Sequence, residues 1–149
     1  MIFRDATPDD LPDIVRLLAD DTFGAAREQT ASPLDPRYRA GYAAMIAQGG
    51  RLLLAVDGDE IVGCMQLNIL HGLASLGASV AQIEGVRVAS ARRGQGLGHA
   101  MLRHAVSLAR AAGCRRMQLT TRLERNDAQR FYERLGFKRS HAGYKLDLS

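Results

Sequence analysis

Apolar positions recur along this chain with two different periods, and the change from one to the other marks out its elements. Leu11, Ile14, Val15 and Leu18 follow at i, i+3, i+4 and i+7, which predicts one buried face of a helix. Thr7-Pro8-Asp9-Asp10 just before them supplies an N-cap, a proline at the first helical position and acids in the first turn. Residues 1–6 read as an edge strand, residues 21–36 as irregular, and residues 37–47 as a second helix closed by Gly49-Gly50. The period then shortens. Residues 52–56 and 61–70 predict two strands joined at Asp57-Gly58, a hairpin turn signal. Residues 71–79 read as a loop and residues 80–88 as a third strand. Leu97, Met101, Ala105, Leu108, Ala109 and Ala112 predict a longer amphipathic helix that ends at Gly113. A strand over 115–121 follows, then a short helix capped by Asn126, faced by Ala128, Phe131, Tyr132 and Leu135, and stopped by Gly136. Residues 144–148 alternate as a last strand. The order β-α-α-β-β-β-α-β-α-β describes a mixed α/β fold with helices laid against one twisted sheet.

The 149 residues suit a single domain spanning 1–149, able to bury about 68–70% of its unfolded surface. No apolar run approaches the ~20 residues of a membrane span, and the first residues lack the pattern of a secretory leader. Cys64 and Cys114 have no metal or redox spacing, as expected of reduced thiols in the cytoplasm. The four histidines also lack metal-ligand spacing, and no metal is expected. The net charge of +4 conceals a division. Residues 1–86 hold 6 Arg against 12 acids, and residues 87–149 hold 14 Lys or Arg against 4 acids. A basic half suits either a phosphorylated ligand, a nucleic acid, or a solvated surface.

The segment that discriminates among these runs from a predicted strand through Arg92-Arg93-Gly94-Gln95-Gly96-Leu97-Gly98 into a predicted helix. Three alternating glycines allow positive φ and close approach of a ligand to the main chain. A helix N-terminus adds outward-pointing N–H groups and a positive dipole end, and two arginines add full charges. Together these suit a diphosphate. Gly98-His99 departs from the Gly-Lys-Ser/Thr end of a Walker loop. A dinucleotide fingerprint fails as well, for want of a glycine at 99 and an acid about 20 residues on.

Arg93-x-x-Gly96-x-Gly98 resembles the acetyl-coenzyme A pyrophosphate motif of the GNAT family of N-acetyltransferases. Ile83-Glu84-Gly85-Val86-Arg87-Val88 resembles the strand that precedes it, and Asn126-Asp127-Ala128 with Phe131-Tyr132-Glu133-Arg134-Leu135-Gly136-Phe137 resembles a second motif. The likeness is detailed over about residues 80–140. It implies an acyl-CoA N-acyltransferase fold with a mixed, mostly antiparallel sheet, acetyl-CoA as cosubstrate, and an amine acceptor that is a small molecule or a peptide. It also implies frequent dimers.

The resemblance assigns roles residue by residue. Val86, Arg87 and Val88 would offer the strand backbone to the pantetheine arm. The segment Arg93, Gly94, Gln95, Gly96, Leu97 and Gly98 would hold the diphosphate, with Arg92 beside it, and Asn126 would touch the cofactor. Tyr132 would protonate the leaving thiolate and also line the cofactor site. Glu84 would deprotonate the amine, expected from the same face of the strand as Val86. An N–H near Val86 would stabilise the oxyanion of direct attack in a ternary complex. Loops 21–36 and 71–79 would line the acceptor site; by their charge alone, acids of the first half, including Asp20, Asp21 and Glu28, would attract a cationic acceptor. Two other classes share parts of this pattern: a non-catalytic acyl-CoA sensor and a nucleic-acid-binding module. Phe131 and Tyr132, set on an apolar helix face rather than among arginines, weigh against the second.

Overall fold

The Asp57-Gly58 turn closes the hairpin at the middle of the sheet. In a computed structural model describing residues 1–149, the elements run β1 (Ile2–Asp5), a 3-10 turn (Pro8–Asp10), α1 (Leu11–Ala19), α2 (Thr22–Arg27), α3 (Pro36–Ala47), β2 (Arg51–Asp57), β3 (Glu60–Leu70), α4 (Ala74–Gly77), β4 (Val80–Val88), a second 3-10 turn (Ser90–Arg92), α5 (Leu97–Ala111), β5 (Arg116–Gln118) and α6 (Asn126–Arg134). The strands lie in the order β1-β2-β3-β4-β5. All neighbours are antiparallel except β4 and β5, which are parallel.

Alternation on β2 and β3 divides the core in two. Leu53, Ala55, Met65 and Leu67 face α5, where they meet Met101, Leu102, Ala105 and Ala109. Leu54, Val56 and Cys64 face α1, against Leu11, Ile14 and Leu17. The sheet is therefore buried on both faces at its centre, and its middle strands read as nearly continuous apolar runs. Tyr42 joins α3 to the α1 layer by donating to the Ala6 carbonyl at 2.9 Å.

The start of α1 follows from residues 7–10 as expected. The Thr7 N–H and hydroxyl both donate to Asp10 Oδ2 at 2.7 and 3.0 Å, and Arg4 grips the same carboxylate with two bonds of 2.8 Å. The stretch 21–36, expected to be irregular, instead contains α2. Asp21 caps it by accepting from the Gly24 N–H at 2.6 Å. Gly24 is required there: a Cβ would lie 1.9 Å from the Leu18 carbonyl oxygen, so only a bare backbone lets α2 turn so tightly against α1.

Three expectations at the C-terminal side are corrected. β5 ends at Gln118 rather than 121. Asn126 is the first residue of α6 rather than its cap; Arg125 takes the cap position, and Gln129 Nε2 ties the preceding turn by donating to the carbonyls of Leu123 (2.8 Å) and Arg122 (3.2 Å). The last strand of the predicted order is absent, and Tyr144, Leu146 and Leu148 are 94, 92 and 84% exposed in the order Tyr144, Leu148, Leu146. An alternating segment becomes a strand only where a neighbour offers a ladder, and the tail pairs with no strand. No helix is long and apolar enough to cross a membrane.

Two outcomes test this account. Gly24→Ala should destabilise the protein by about 1–3 kcal/mol in denaturant melts, since the backbone of α1 must give way; an unchanged midpoint would contradict the close approach. Arg4, with Thr7 assisting, holds the Asp10 carboxyl well below its ordinary range against the opposing effect of burial. The pKa is lower in the folded state, so the stabilisation is complete above an unfolded value of about 3.9 and is lost as pH falls below it. Asp10→Asn should therefore flatten the acid limb of the stability–pH curve.

Candidate active site

The site is built on a strand that outruns its neighbour. β4 pairs with β5 only over Val80–Gln82, against Arg116–Gln118, so the edge from Ile83 to Val88 has no partner on that side. Within this stretch two residues, Gly85 and Val86, oppose the single Met65 of β3, since the register passes from Gln66–Glu84 to Cys64–Arg87. Gly85 adopts φ +60°, a bulge conformation that glycine takes without strain. The extra residue shifts the alternation. Ile83, Val86 and Val88 pack on the α5 side, whereas Glu84 and Arg87 share the α1 side with Gln66 and Cys64. This corrects the expectation that Glu84 and Val86 share a face, which holds only for a strand without a bulge. Glu84 is exposed and accepts a 3.0 Å bond from Gln82 Nε2.

The turn after β4 has the predicted character. Gly94 and Gly96 have φ of +74° and +81°, with open space where side chains would be. The backbone N–H groups of six successive residues, Gly94 to His99, donate to no protein group. They lie at the N-terminus of the 15-residue α5, the arrangement of an anion site. Gly98 approaches α6 closely, and a Cβ there would lie 3.1 Å from the Phe131 ring. The two arginines of the turn are engaged within the protein. Arg92 pairs with Asp57 at 2.7 Å and Glu60 at 3.6 Å. Arg93 donates to the Val88 carbonyl at 3.0 Å and the Asp20 carbonyl at 2.6 Å, while the Asp20 carboxylate accepts from the Ser90 N–H at 2.8 Å. Gln95 Nε2 donates to the Ala91 carbonyl at 3.0 Å.

Tyr132 projects from α6 into the α5-side cluster, in edge contact with Phe131 and Phe137, and its hydroxyl has no protein partner. Burial raises its pKa above the ordinary phenol value; Arg87 and Arg125 pull the other way and are outweighed. Arg87 and Arg125 both meet Asp21, at 3.3 and 3.0 Å, and Arg122 and Arg125 lie over the Phe23 ring at 4.5 and 4.8 Å. Sequence reasoning missed Asp21, Phe23, Arg122 and Arg125 in this arrangement. The Asp21–Gly24 spacing was the available signal for the cap that positions the first two. Asn126 is exposed and makes no side-chain hydrogen bond.

The acids expected to attract a cationic acceptor are occupied: Asp20 by Arg93 and Ser90, Asp21 by Arg87 and Arg125, Glu28 by Arg27 and the Tyr38 hydroxyl. Acids of the first half thus pair with bases of the second half around β4, which accounts for part of the divided charge. Segment 71–79 lies at the start of β4, about 25 Å along the strand from its end at Val88, because an antiparallel connection must sit where its second strand begins. Cys64 is fully buried and burial pushes its thiol up to about 12, so it is no nucleophile at neutral pH. No group of three or more His, Cys, Asp or Glu is placed to hold a metal ion.

Comparison with known proteins agrees with this geometry. An aminoalkylphosphonate N-acetyltransferase of Salmonella typhimurium is 35% identical over 108 residues, which cover 70% of this chain and 68% of that protein. A transcriptional regulator from Bacillus halodurans is similar in structure over 99% of both chains, with a TM-score of 0.94 and 42% identity. A putative acetyltransferase from Agrobacterium tumefaciens follows over 99% of both chains, at 0.86 and 29%. The family model of the Acetyltransferase (GNAT) family matches residues 11–137, and the chain, with its parted strands and glycine turn, belongs to that family of acetyltransferases.

Proposed function

We propose that the protein transfers an acetyl group from acetyl-CoA to a primary amine by direct attack in a ternary complex. The observation that carries this reading is the row of six unpartnered N–H groups from Gly94 to His99, set just past Val88 at the end of an opened strand edge. Arg93, Gly94, Gln95, Gly96, Leu97 and Gly98 form the diphosphate cradle. Its binding groups are amides, while Arg92 and Arg93 stiffen it through Asp57, Glu60 and Asp20. The edge of Val86, Arg87 and Val88 orients the pantetheine arm in the manner of an added strand. The carbonyls of Val86 and Val88 already accept from Arg87 and Arg93, which leaves N–H groups as the strand's main offer to the ligand. Asn126, at the start of α6, faces solvent and is available to the cofactor.

The chemistry needs two proton movements. The amine loses a proton before its nitrogen attacks the thioester carbon; Glu84 takes it through water from the α1 side of the strand. An N–H at the Gly85–Val86 bulge stabilises the oxyanion. As the C–S bond breaks, the sulfur leaves as a thiolate, and the Tyr132 hydroxyl gives it a proton. Burial suits Tyr132 to this role, because a raised pKa keeps the phenol protonated throughout the neutral range. Solvent then restores the tyrosine proton.

Saturating acetyl-CoA should raise the melting temperature, since ligand at 100 times its dissociation constant adds about 2.7 kcal/mol. Gly96→Val should abolish that rise, because a β-branched residue cannot hold φ +81° and the amide row turns away. A full rise in the variant would remove the cradle from the account. In a thiol-release assay, Tyr132→Phe should lower kcat about 10²- to 10⁴-fold while cofactor affinity stays close to wild type. Glu84→Gln should erase the acidic limb of the pH–rate profile, and an intact limb would transfer the base role elsewhere.

A further inference from the structure

Two guanidinium groups converge on one carboxylate beside the opened strand, and a third lies next to them over the Phe23 ring. Arg87 comes from β4, and Arg122 and Arg125 from the connection between β5 and α6; Asp21 comes from the α1–α2 corner. The cluster retains a surplus of two positive charges. Its hydrogen bonding is also incomplete. Arg87 Nη1 donates to the Val86 carbonyl at 2.9 Å, but its buried Nε, although 3.3 Å from Asp21 Oδ2, is misaligned and has no hydrogen-bond partner. Arg125 donates through Nη2 alone, at 3.0 Å. Arg122 donates to no protein group and rests on Phe23. The other oxygen of the Asp21 carboxylate is engaged by the Gly24 N–H at 2.6 Å, not by an arginine.

The Arg87 side chain is largely shielded and Arg125 partly so, and half-buried cations with unspent donors are costly unless something completes them. Guanidinium forks match planar or tetrahedral oxyanions, with several N–H groups per partner. The location is informative as well: Arg87 adjoins Val86, and both Arg87 and Arg125 are close enough to act electrostatically on Tyr132.

We infer that the acceptor is a small primary amine carrying an oxyanion, a carboxylate or a phosphonate or phosphate group, and that Arg87 and Arg125 grip this anion with Arg122 at the rim. The inference rests on the acetyltransferase reading for the position of the amine. Asp21 and Phe23 are positioning residues that hold the arginines apart and aimed.

The test uses the intact protein, acetyl-CoA and three acceptors of matched length: 2-aminoethylphosphonate, β-alanine and propylamine. Both anionic acceptors, or one of them, should exceed propylamine in kcat/KM by about 10- to 100-fold. The stronger of the two identifies the anion. Arg125→Met should bring that ratio close to one, and Arg125→Lys should keep part of it, with the acetyl-CoA-induced melting shift retained as proof of folding. A second readout needs no turnover: ethylphosphonate or propionate, which lack the amine, should raise the melting temperature of the CoA-bound protein, and Arg125→Met should remove the rise. Thiol release that is equal for all three acceptors would overturn the anion subsite and leave the acetyltransferase reading standing. Release with none would count against that reading, and the amine-free anions would then decide the subsite alone, sustaining it by a rise that Arg125→Met removes and overturning it otherwise.

Discussion

The backbone of β4 has more hydrogen-bonding edge than the sheet can use. β5 meets it for three residues and then departs toward α6, while β4 continues to Val88. Peptide groups left without a ladder partner are a liability on most sheets. Here the parting creates a slot, and the surrounding features converge on its mouth. The glycine turn opens its amides at one end, α6 brings Tyr132 across from the far wall, and the Gly85 bulge changes which side chains look into each layer. Extending the β4–β5 ladder by a few residues would close the slot.

The turn also shows how charge and geometry divide their work. Arg92 and Arg93 flank the glycines, and a reading from sequence assigns them to a phosphate. In the folded protein both are bound to acids of the first half, and Arg93 also to backbone carbonyls. They fix the path of the loop, and the unshared donors are peptide N–H groups. This division has a physical advantage: amides locked by backbone conformation lose little entropy on binding, whereas free arginine side chains would lose several rotors.

Most of this architecture was legible because it rests on local patterns. The 3.6 period of α1 and α5, the Asp57-Gly58 turn and the alternating glycines each specify their own geometry over a few residues. What escaped depended on partners distant in the chain. The bulge at Gly85–Val86 is defined only against Met65, so the face of Glu84 was misjudged. The tail at 144–148 carries the right alternation but finds no ladder. Arg122 and Arg125 look like surface charge until α2 delivers Phe23 and Asp21 beneath them. α2 itself hides in a stretch rich in breakers, because its cap and its bare glycine make sense only against the end of α1.

Asp20 and Asp21 are adjacent, yet their side chains hold different elements beside the slot. The first fastens the loop after β4 through Ser90 and Arg93; the second anchors Arg87 and Arg125. One peptide link therefore joins the two mooring points. Any tilt of this corner would displace both at once, so the loop after β4 and the Arg87–Arg125 pair are held in one fixed relation by two consecutive residues.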